Sequence, residues 1–267
     1  MNIKKIVIYA AAMLILIGCF VCYAILTKDQ RYKEVVFDIA YPSDTLFTSM
    51  ELDSFVRKNC PVVVGKLTDS VNLVDFEKKL KEYPYLESVD IVTNQGIVTV
   101  KAKQEKVIAK VFGTGEKRFY LAKSGNILPE SPLAAGRVVV VNGHLSKEES
   151  PAKTEKNLDS LKNKKGYHSG IYTAWKIACY LDENEFWKSQ IGQIYIDEMG
   201  DAKLIPTVGE QLIIFGKIRY CDNASQEVEQ RFENLKNVYK GFKITGWNRY
   251  KTINLKFGSE IPCEKRE

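Results

Sequence analysis

One unbroken apolar run, Ile6 to Leu26, constrains this chain more than any other feature, because its 267 residues hold no second run like it. The run reads IVIYAAAMLILIGCFVCYAIL and carries no charged residue. A helix rises about 1.5 Å per residue, so a run of this length matches the ~30 Å hydrocarbon core of a bilayer. The pattern predicts a single transmembrane helix over residues 6–26, after a tail of residues 1–5, with everything beyond Leu26 on one side of a membrane. Lys4 and Lys5 precede the run and the tail has no acidic group, which places the N-terminus in the cytoplasm and the rest outside. Lys28 and Arg31 reduce that asymmetry, with Asp29 between them. A cleaved signal peptide would have a shorter apolar core and a small-residue cleavage site, and neither is present. Leu16-Ile17-Gly18-Cys19 loosely fits a lipoprotein cleavage box. The chain stays apolar after that cysteine instead of turning polar, which favours the retained helix. Cys19 and Cys22 form a C-x-x-C on paper, but inside lipid they read as small apolar filler.

After a linker of residues 27–33, the remainder is long enough for two modest domains. Lys4 and Lys5 supply two charges of the net +6, and the rest are dispersed, so a nucleic-acid surface has little support. Cys60, Cys179, Cys221 and Cys263 would face an oxidising space, but their spacings are neither short nor patterned and no bridge is drawn. Asn223-Ala224-Ser225 matches a glycosylation sequon, a triplet common by chance and without meaning in a bacterial host.

Val35 to Ala40 is a short β-rich run ended by Pro42. Met50, Leu52, Phe55 and Val56 recur at helical spacing within Thr48–Lys58. A second helix is better marked: Asn72 is placed to cap it, Val71 and Phe76 are placed as a staple, its stripe is Leu73, Phe76, Leu80 and Tyr83, and Pro84 stops it. Ser88–Thr93 and Ile97–Lys103 flank Asn94-Gln95-Gly96, a hairpin signal. Val98, Val100 and Ala102 point one way, and Thr99, Lys101 and Lys103 the other. Strand, helix, helix, strand, strand predicts a helix pair covering a three-stranded sheet.

Leu80-Lys81-Glu82-Tyr83-Pro84-Tyr85-Leu86-Glu87-Ser88-Val89-Asp90, followed by the segment Gly96 to Val111, resembles a POTRA domain, in particular that of the FtsQ/DivIB bacterial cell-division family. That family shows a short helix ending in N-P-x-V, a hairpin, then V-x-Q-R-x-P-I-A. Gln104 and Ala109 match the pattern, while Glu105 and Val107 stand where it has Arg and Pro.

The rest of the chain is mostly β in pattern. Arg118–Ala122 and Ile127-Leu128 flank a turn at Lys123–Asn126, and Arg137–Asn142 is a buried-type run. Residues 145–170 hold six lysines and four serines with few apolar groups, and read as a solvated polar loop. Ile171–Leu181 is helical, with Ile171, Trp175, Ala178 and Cys179 on one face. Ile191–Asp197, Ala202–Pro206 and Gln211–Phe215 read as strands, and Val228, Phe232, Leu235 and Tyr239 as the stripe of an amphipathic helix. In Tyr250–Phe257, Ile253, Leu255 and Phe257 alternate with Thr252, Asn254 and Lys256, the pattern of a half-buried antiparallel strand. Tyr120-Leu121 through Pro129, Leu204–Gly209 with Ile213–Gly216, and Lys251–Lys256 also resemble FtsQ/DivIB motifs, in the family's order. Phe186-Trp187, Gln193–Tyr195 and Gly246–Asn248 look closest to Bacteroidetes versions. The expected fold class is therefore α+β: a single N-terminal transmembrane helix, a POTRA-like domain over 34–104, and a mostly antiparallel β domain with flanking helices over 105–267.

No catalytic constellation is legible. His144 follows Asn142-Gly143 in a turn and His168 lies in the polar loop, and neither accompanies a nucleophile motif. Gly113-Thr114-Gly115-Glu116-Lys117 lacks the spacing of a phosphate loop and reads as a hairpin turn. Glu183, Glu185, Asp197 and Glu198 read as surface groups. No catalytic residue, metal or cofactor is expected, so function falls to surfaces. An edge strand can accept a partner strand, and a membrane tether would raise the partner's effective concentration. The family resemblance implies a bitopic inner-membrane division scaffold at the septum, linking early and late division proteins and helping control septal peptidoglycan synthesis. It implies that the C-terminal sheet edge receives an FtsB-like partner, which brings an FtsL-like one. Carried over by match, the partner-binding residues are Tyr250, Lys251, Thr252, Ile253, Asn254, Leu255 and Lys256, with Ile253 and Leu255 also read as core. The alternative is a POTRA-containing periplasmic chaperone or transport component of the outer-membrane assembly type, which would need tandem POTRA copies or a β-barrel.

Overall fold

The structure is a computed structural model, which describes residues 9, 12–22, 30–42, 44–113, 118–131, 133, 136–145, 157–158, 169–258 and 260–266. Within the first apolar run, Tyr9 and residues 12–22 are helical. Among the described residues no helix is long and apolar enough to cross a membrane. The transmembrane helix expected over 6–26, and the single-pass anchoring drawn from it, are corrected accordingly. Lys4, Lys5 and the remainder of the run lie outside the described residues.

The chain divides into two units, Met1–Ala40 with Thr48–Gln104, and Tyr41–Phe47 with Glu105–Glu267. In the first, β1 (Glu34–Ala40), α1 (Ser49–Asn59), α2 (Leu73–Leu80), β2 (Leu86–Asn94) and β3 (Ile97–Gln104) follow in the order read from the sequence. The sheet runs β1-β3-β2, with β3 parallel to β1 and antiparallel to β2. Thr48 and Glu51 close a capping box at the start of α1, and the Asn72 side chain accepts from the Val74 and Asp75 amides at the start of α2. Gln95 and Gly96 both take positive φ, as a two-residue hairpin of this twist requires. Val98, Val100 and Ala102 are buried while Lys101 and Lys103 are exposed, and Leu52, Phe76 and Leu80 face the same core.

The second unit contains β4 (Val107–Phe112), β5 (Arg118–Ala122), β6 (Ile127–Pro129), β7 (Val139–Gly143), α3 (Gly170–Glu183), α4 (Glu185–Gln190), β8 (Ile191–Ile196), β9 (Ala202–Pro206), β10 (Leu212–Gly216), α5 (Ala224–Thr245), β11 (Tyr250–Asn254) and β12 (Cys263–Lys265). Among the described residues its nine strands run β12-β11-β10-β9-β8-β7-β4-β5-β6. The pairs β4·β7, β7·β8 and β10·β11 are parallel and the others antiparallel. Parallel neighbours cannot be joined by a hairpin, so α3 and α4 carry the chain from β7 to β8, and α5 carries it from β10 to β11. At the end of β7, Gly143 has φ +115°, and a Cβ there would fall 2.1 Å from the Ile196 carbonyl oxygen, so only glycine fits.

α3 packs on β4, β8 and β9 and against α5, and its residues are buried nearly all round. The α5 stripe read from the sequence, Val228, Phe232, Leu235 and Tyr239, is buried. Phe232 meets Trp187, Phe215 and Tyr180 at ring-centroid distances of 5.1, 5.3 and 4.5 Å. Of the polar stretch 145–170, Leu145 and Leu158 are buried in this core. Asn157 donates to the Asn126 side-chain oxygen at 2.7 Å. Glu105 is fully buried and accepts from Ser124 Oγ at 2.8 Å and Asn126 Nδ2 at 2.6 Å, which pins the turn between β5 and β6.

Asp182 closes the end of α3. Its side chain is 5% exposed, and it lies 2.7 Å from Lys106 Nζ, 3.2 Å from Lys188 Nζ and 3.7 Å from Lys123 Nζ. Burial works against its ionisation, but hydrogen bonds from Lys106 and Lys188 outweigh that and hold its carboxyl below the usual range. A carboxylate with a lowered folded pKa contributes stability above its unfolded pKa and loses it as pH falls through the folded one. Asp182→Asn is therefore expected to reduce unfolding free energy by about 1–3 kcal/mol near neutral pH. Urea titrations would show the difference shrinking below about pH 4. A difference that stays constant with pH would mean the three lysines contribute nothing through charge.

Candidate functional site

β11 holds the first five of the seven residues that the sequence marks for partner binding, and Leu255 and Lys256 follow directly. Ile253 and Leu255 are buried in the core. Tyr250 stacks on Phe242 of α5, with centroids 4.6 Å apart and planes 7° from parallel. Lys256 Nζ reaches Asp201 Oδ2 at 2.6 Å, and Asn254 Oδ1 accepts from the Lys256 amide at 3.1 Å. Thr252 Oγ1 donates to Glu264 Oε2 at 3.0 Å, and Lys251 is exposed. The seven residues are thus consecutive, five in β11 and two just after it, but divide between core, helix, loop and surface.

The main chain of β11 is sorted more simply. Leu255 N–H donates inward to the Ile214 carbonyl of β10 at 2.9 Å. Asn254 N–H donates outward to the Pro262 carbonyl at 2.9 Å. Strand groups alternate in direction with period two, so Thr252 and Asn254 form the outward row, while Ile253 and Leu255 belong to the inner ladder.

β11 is not the edge of the sheet, the position that the family resemblance implies for Tyr250–Lys256. The chain turns back after Lys256, and Cys263–Lys265 pairs antiparallel with β11 as β12, at Ile253↔Cys263, Thr252↔Glu264 and Tyr250↔Lys265. Arg266 extends the contact: its N–H donates to the Arg249 carbonyl at 2.8 Å and its guanidinium pairs with Glu210. Sequence reasoning missed these residues because three residues of Cys-Glu-Lys carry no alternation. Pro262 was the available signal, since a proline marks a segment that joins a sheet at its margin.

At the other end of β10, Gln211 is buried and its Nε2 donates to the Trp247 carbonyl, tying the approach to β10 to the exit from α5. Among the described residues no group of three or more His, Cys, Asp or Glu side chains could hold a metal ion. His144 is exposed, with Nδ1 3.3 Å from the Tyr195 hydroxyl and Nε2 3.5 Å from Glu198. His168 lies outside the described residues. Cys179 is largely buried, which pushes its thiol up to about 12, far from a reactive thiolate.

A family model described as FtsQ/DivIB, C-terminal related, matches residues 106–264, which runs from the start of β4 into β12. No curated protein matches the chain.

The inward and outward rows predict different responses to proline. Ile253→Pro removes a donor from the inner ladder and is expected to destabilise the protein by about 3 kcal/mol or more. Thr252→Pro removes an outward donor and should cost at least about 1 kcal/mol less. Chemical denaturation of the two variants checks this, and equal losses would contradict the assigned directions.

Proposed function

The chain belongs to the FtsQ/DivIB family of bacterial cell-division proteins, and from that premise we propose that it is a non-catalytic scaffold of the division machinery which binds a partner by strand addition along β11. The outward row at Thr252 and Asn254 is the observation that carries this reading. Main-chain donors and acceptors there point away from β10, where β12 now pairs with them, while the side chains of Ile253 and Leu255 anchor the strand in the core. Added strands gain affinity from main-chain hydrogen bonds and specificity from alternate side chains. Thr252, Asn254 and Lys251 are the side chains placed to supply that specificity.

The partner expected from the family is FtsB-like and would bring an FtsL-like protein with it, at the septum, so that early and late division proteins are linked and septal wall synthesis is regulated without being catalysed here. The first unit fits this role as a POTRA-like module: its β-α-α-β-β order, with β3 in the centre of the sheet, supports that reading. Its contribution would be recruitment.

Photoreactive residues at Thr252 and Asn254, expressed in dividing cells, are expected to trap a small division protein, with little trapping from Lys58 on α1 as a control. Depletion is expected to give filaments. Normal cell length after depletion, or identical products from all three positions, would refute the scaffold reading.

A further inference from the structure

We propose that β12 is a displaceable self-strand, which closes the outward row of β11 until a partner strand replaces it. The proposal rests on the strand-addition reading and adds a gate to it.

The two sides of β11 are held very differently. On the inner side, β11 pairs in unbroken register with β10, and the side chains of Ile253 and Leu255 on this ladder are buried in the core to 0% and 1% exposure. On the outer side, β12 has three residues and its register slips between Tyr250 and Thr252. Pro262 accepts from Asn254 but has no N–H to return, so that rung has one bond where an antiparallel rung of its kind has two. Glu264 and Lys265 are exposed. The side-chain anchors include Thr252–Glu264 and Arg266, which pairs with the exposed Glu210 carboxylate and donates to the Glu210 carbonyl at 3.3 Å, contacts that water readily replaces. Among the described residues of this segment, Ile261 and Cys263 are the hydrophobic ones that pack against the core, and both are half-buried. Segments with few buried apolar contacts open locally at far lower free energy than the sheet that carries them.

A weak strand still competes well when it is tethered, because its effective concentration is high. The gate therefore selects its opener. A successful partner must be an extended segment longer than β12, antiparallel to β11. It would carry a small apolar residue opposite Ile253, where Cys263 sits, and a basic residue able to reach Glu210, where Arg266 sits.

Thr252 and Glu264 are direct antiparallel partners, a placement whose Cα separation of about 5.5 Å suits a disulfide. The full chain with Thr252→Cys and Glu264→Cys in a Cys263→Ser background locks β12 when oxidised and frees it when reduced. Binding of the purified FtsB-like protein of the same cell is expected to be at least about tenfold weaker in the oxidised form, and to recover on reduction. Glu264→Pro, which removes a β12 donor, is expected to bind about tenfold tighter than the unaltered chain. Hydrogen exchange supplies a partner-free readout. The Arg266 amide should exchange at least about a hundredfold faster than those of Leu204 and Ile213. Equal protection of Arg266 and the core would overturn the gate. Binding unaffected by the lock but abolished by Thr252→Pro would overturn it too, while leaving strand addition standing. Binding by none of these forms, Glu264→Pro included, would overturn both.

Discussion

The parallel pairing of β11 with β10 is the constraint on which the rest of the second unit depends. Two adjacent parallel strands must be joined by a segment that leaves the sheet and returns over one face. Here that segment is α5, and its length and stripe follow from the task. It must span the sheet and cover it, so Val228, Phe232, Leu235 and Tyr239 face inward at helical spacing. The same crossover delivers β11 with its inner groups directed at β10 and its outer groups directed away from the sheet.

Precision at that edge comes from aromatic packing as much as from the ladder. Tyr250 stacks on Phe242 one turn before α5 ends, and Trp247 packs between Tyr239 and Phe242 at 5.0 and 5.8 Å. Gln211 holds the Trp247 carbonyl from the β10 side. Helix, turn and both strands are therefore fastened at one point, immediately before the outward row begins. Offset and edge-on aromatic pairs of this kind add about 0.5–1.5 kcal/mol each beyond the area they bury, enough to fix the entry angle of a five-residue strand. A partner adding to β11 would meet a surface already ordered, and would bear mainly its own ordering entropy.

Local pattern made much of this legible. The alternation in β3, the cap at Asn72, the hairpin at Gln95-Gly96 and the α5 stripe are each set by neighbours within a turn or a hairpin, so periodicity and caps reveal them. What periodicity does not encode is which strands become neighbours. The parallel joins β4·β7, β7·β8 and β10·β11 arise from long connections, and each strand looks the same from its own residues in either direction. α4 escaped notice because Glu185–Gln190 is too short for a full apolar stripe, although Asn184 caps it. The apolar run at Ile6–Leu26 shows the opposite limit: hydropathy summed along a sequence reveals a long apolar run but not a continuous helix, and among the described residues no helix is long and apolar enough to cross a membrane. The strand expected over Tyr250–Phe257 starts where expected but ends at Asn254 and runs parallel to β10, and its position next to last depended on a three-residue segment with no pattern of its own.

The two ends of the nine-stranded sheet show why β12 stands apart. A sheet edge exposes unpaired main-chain groups and invites unwanted association, so it is usually blunted. Both ends here finish in three-residue strands marked by proline, Pro129 within β6 and Pro262 just before β12. At the β6 end the closure is built into the interior. Glu105, fully buried, holds Ser124 and Asn126, and Asn157 bonds across to Asn126. Pulling β6 away would strand a buried carboxylate, a penalty of several kcal/mol. At the β12 end the corresponding contacts are Thr252 with Glu264 and Arg266 with Glu210, all on partly or fully exposed side chains. Detaching β12 leaves those groups to water, which accommodates them at little loss. Both edges are protected against chance pairing, but only one is closed by contacts that another strand could replace, and that one lies beside the strand fastened most firmly from within.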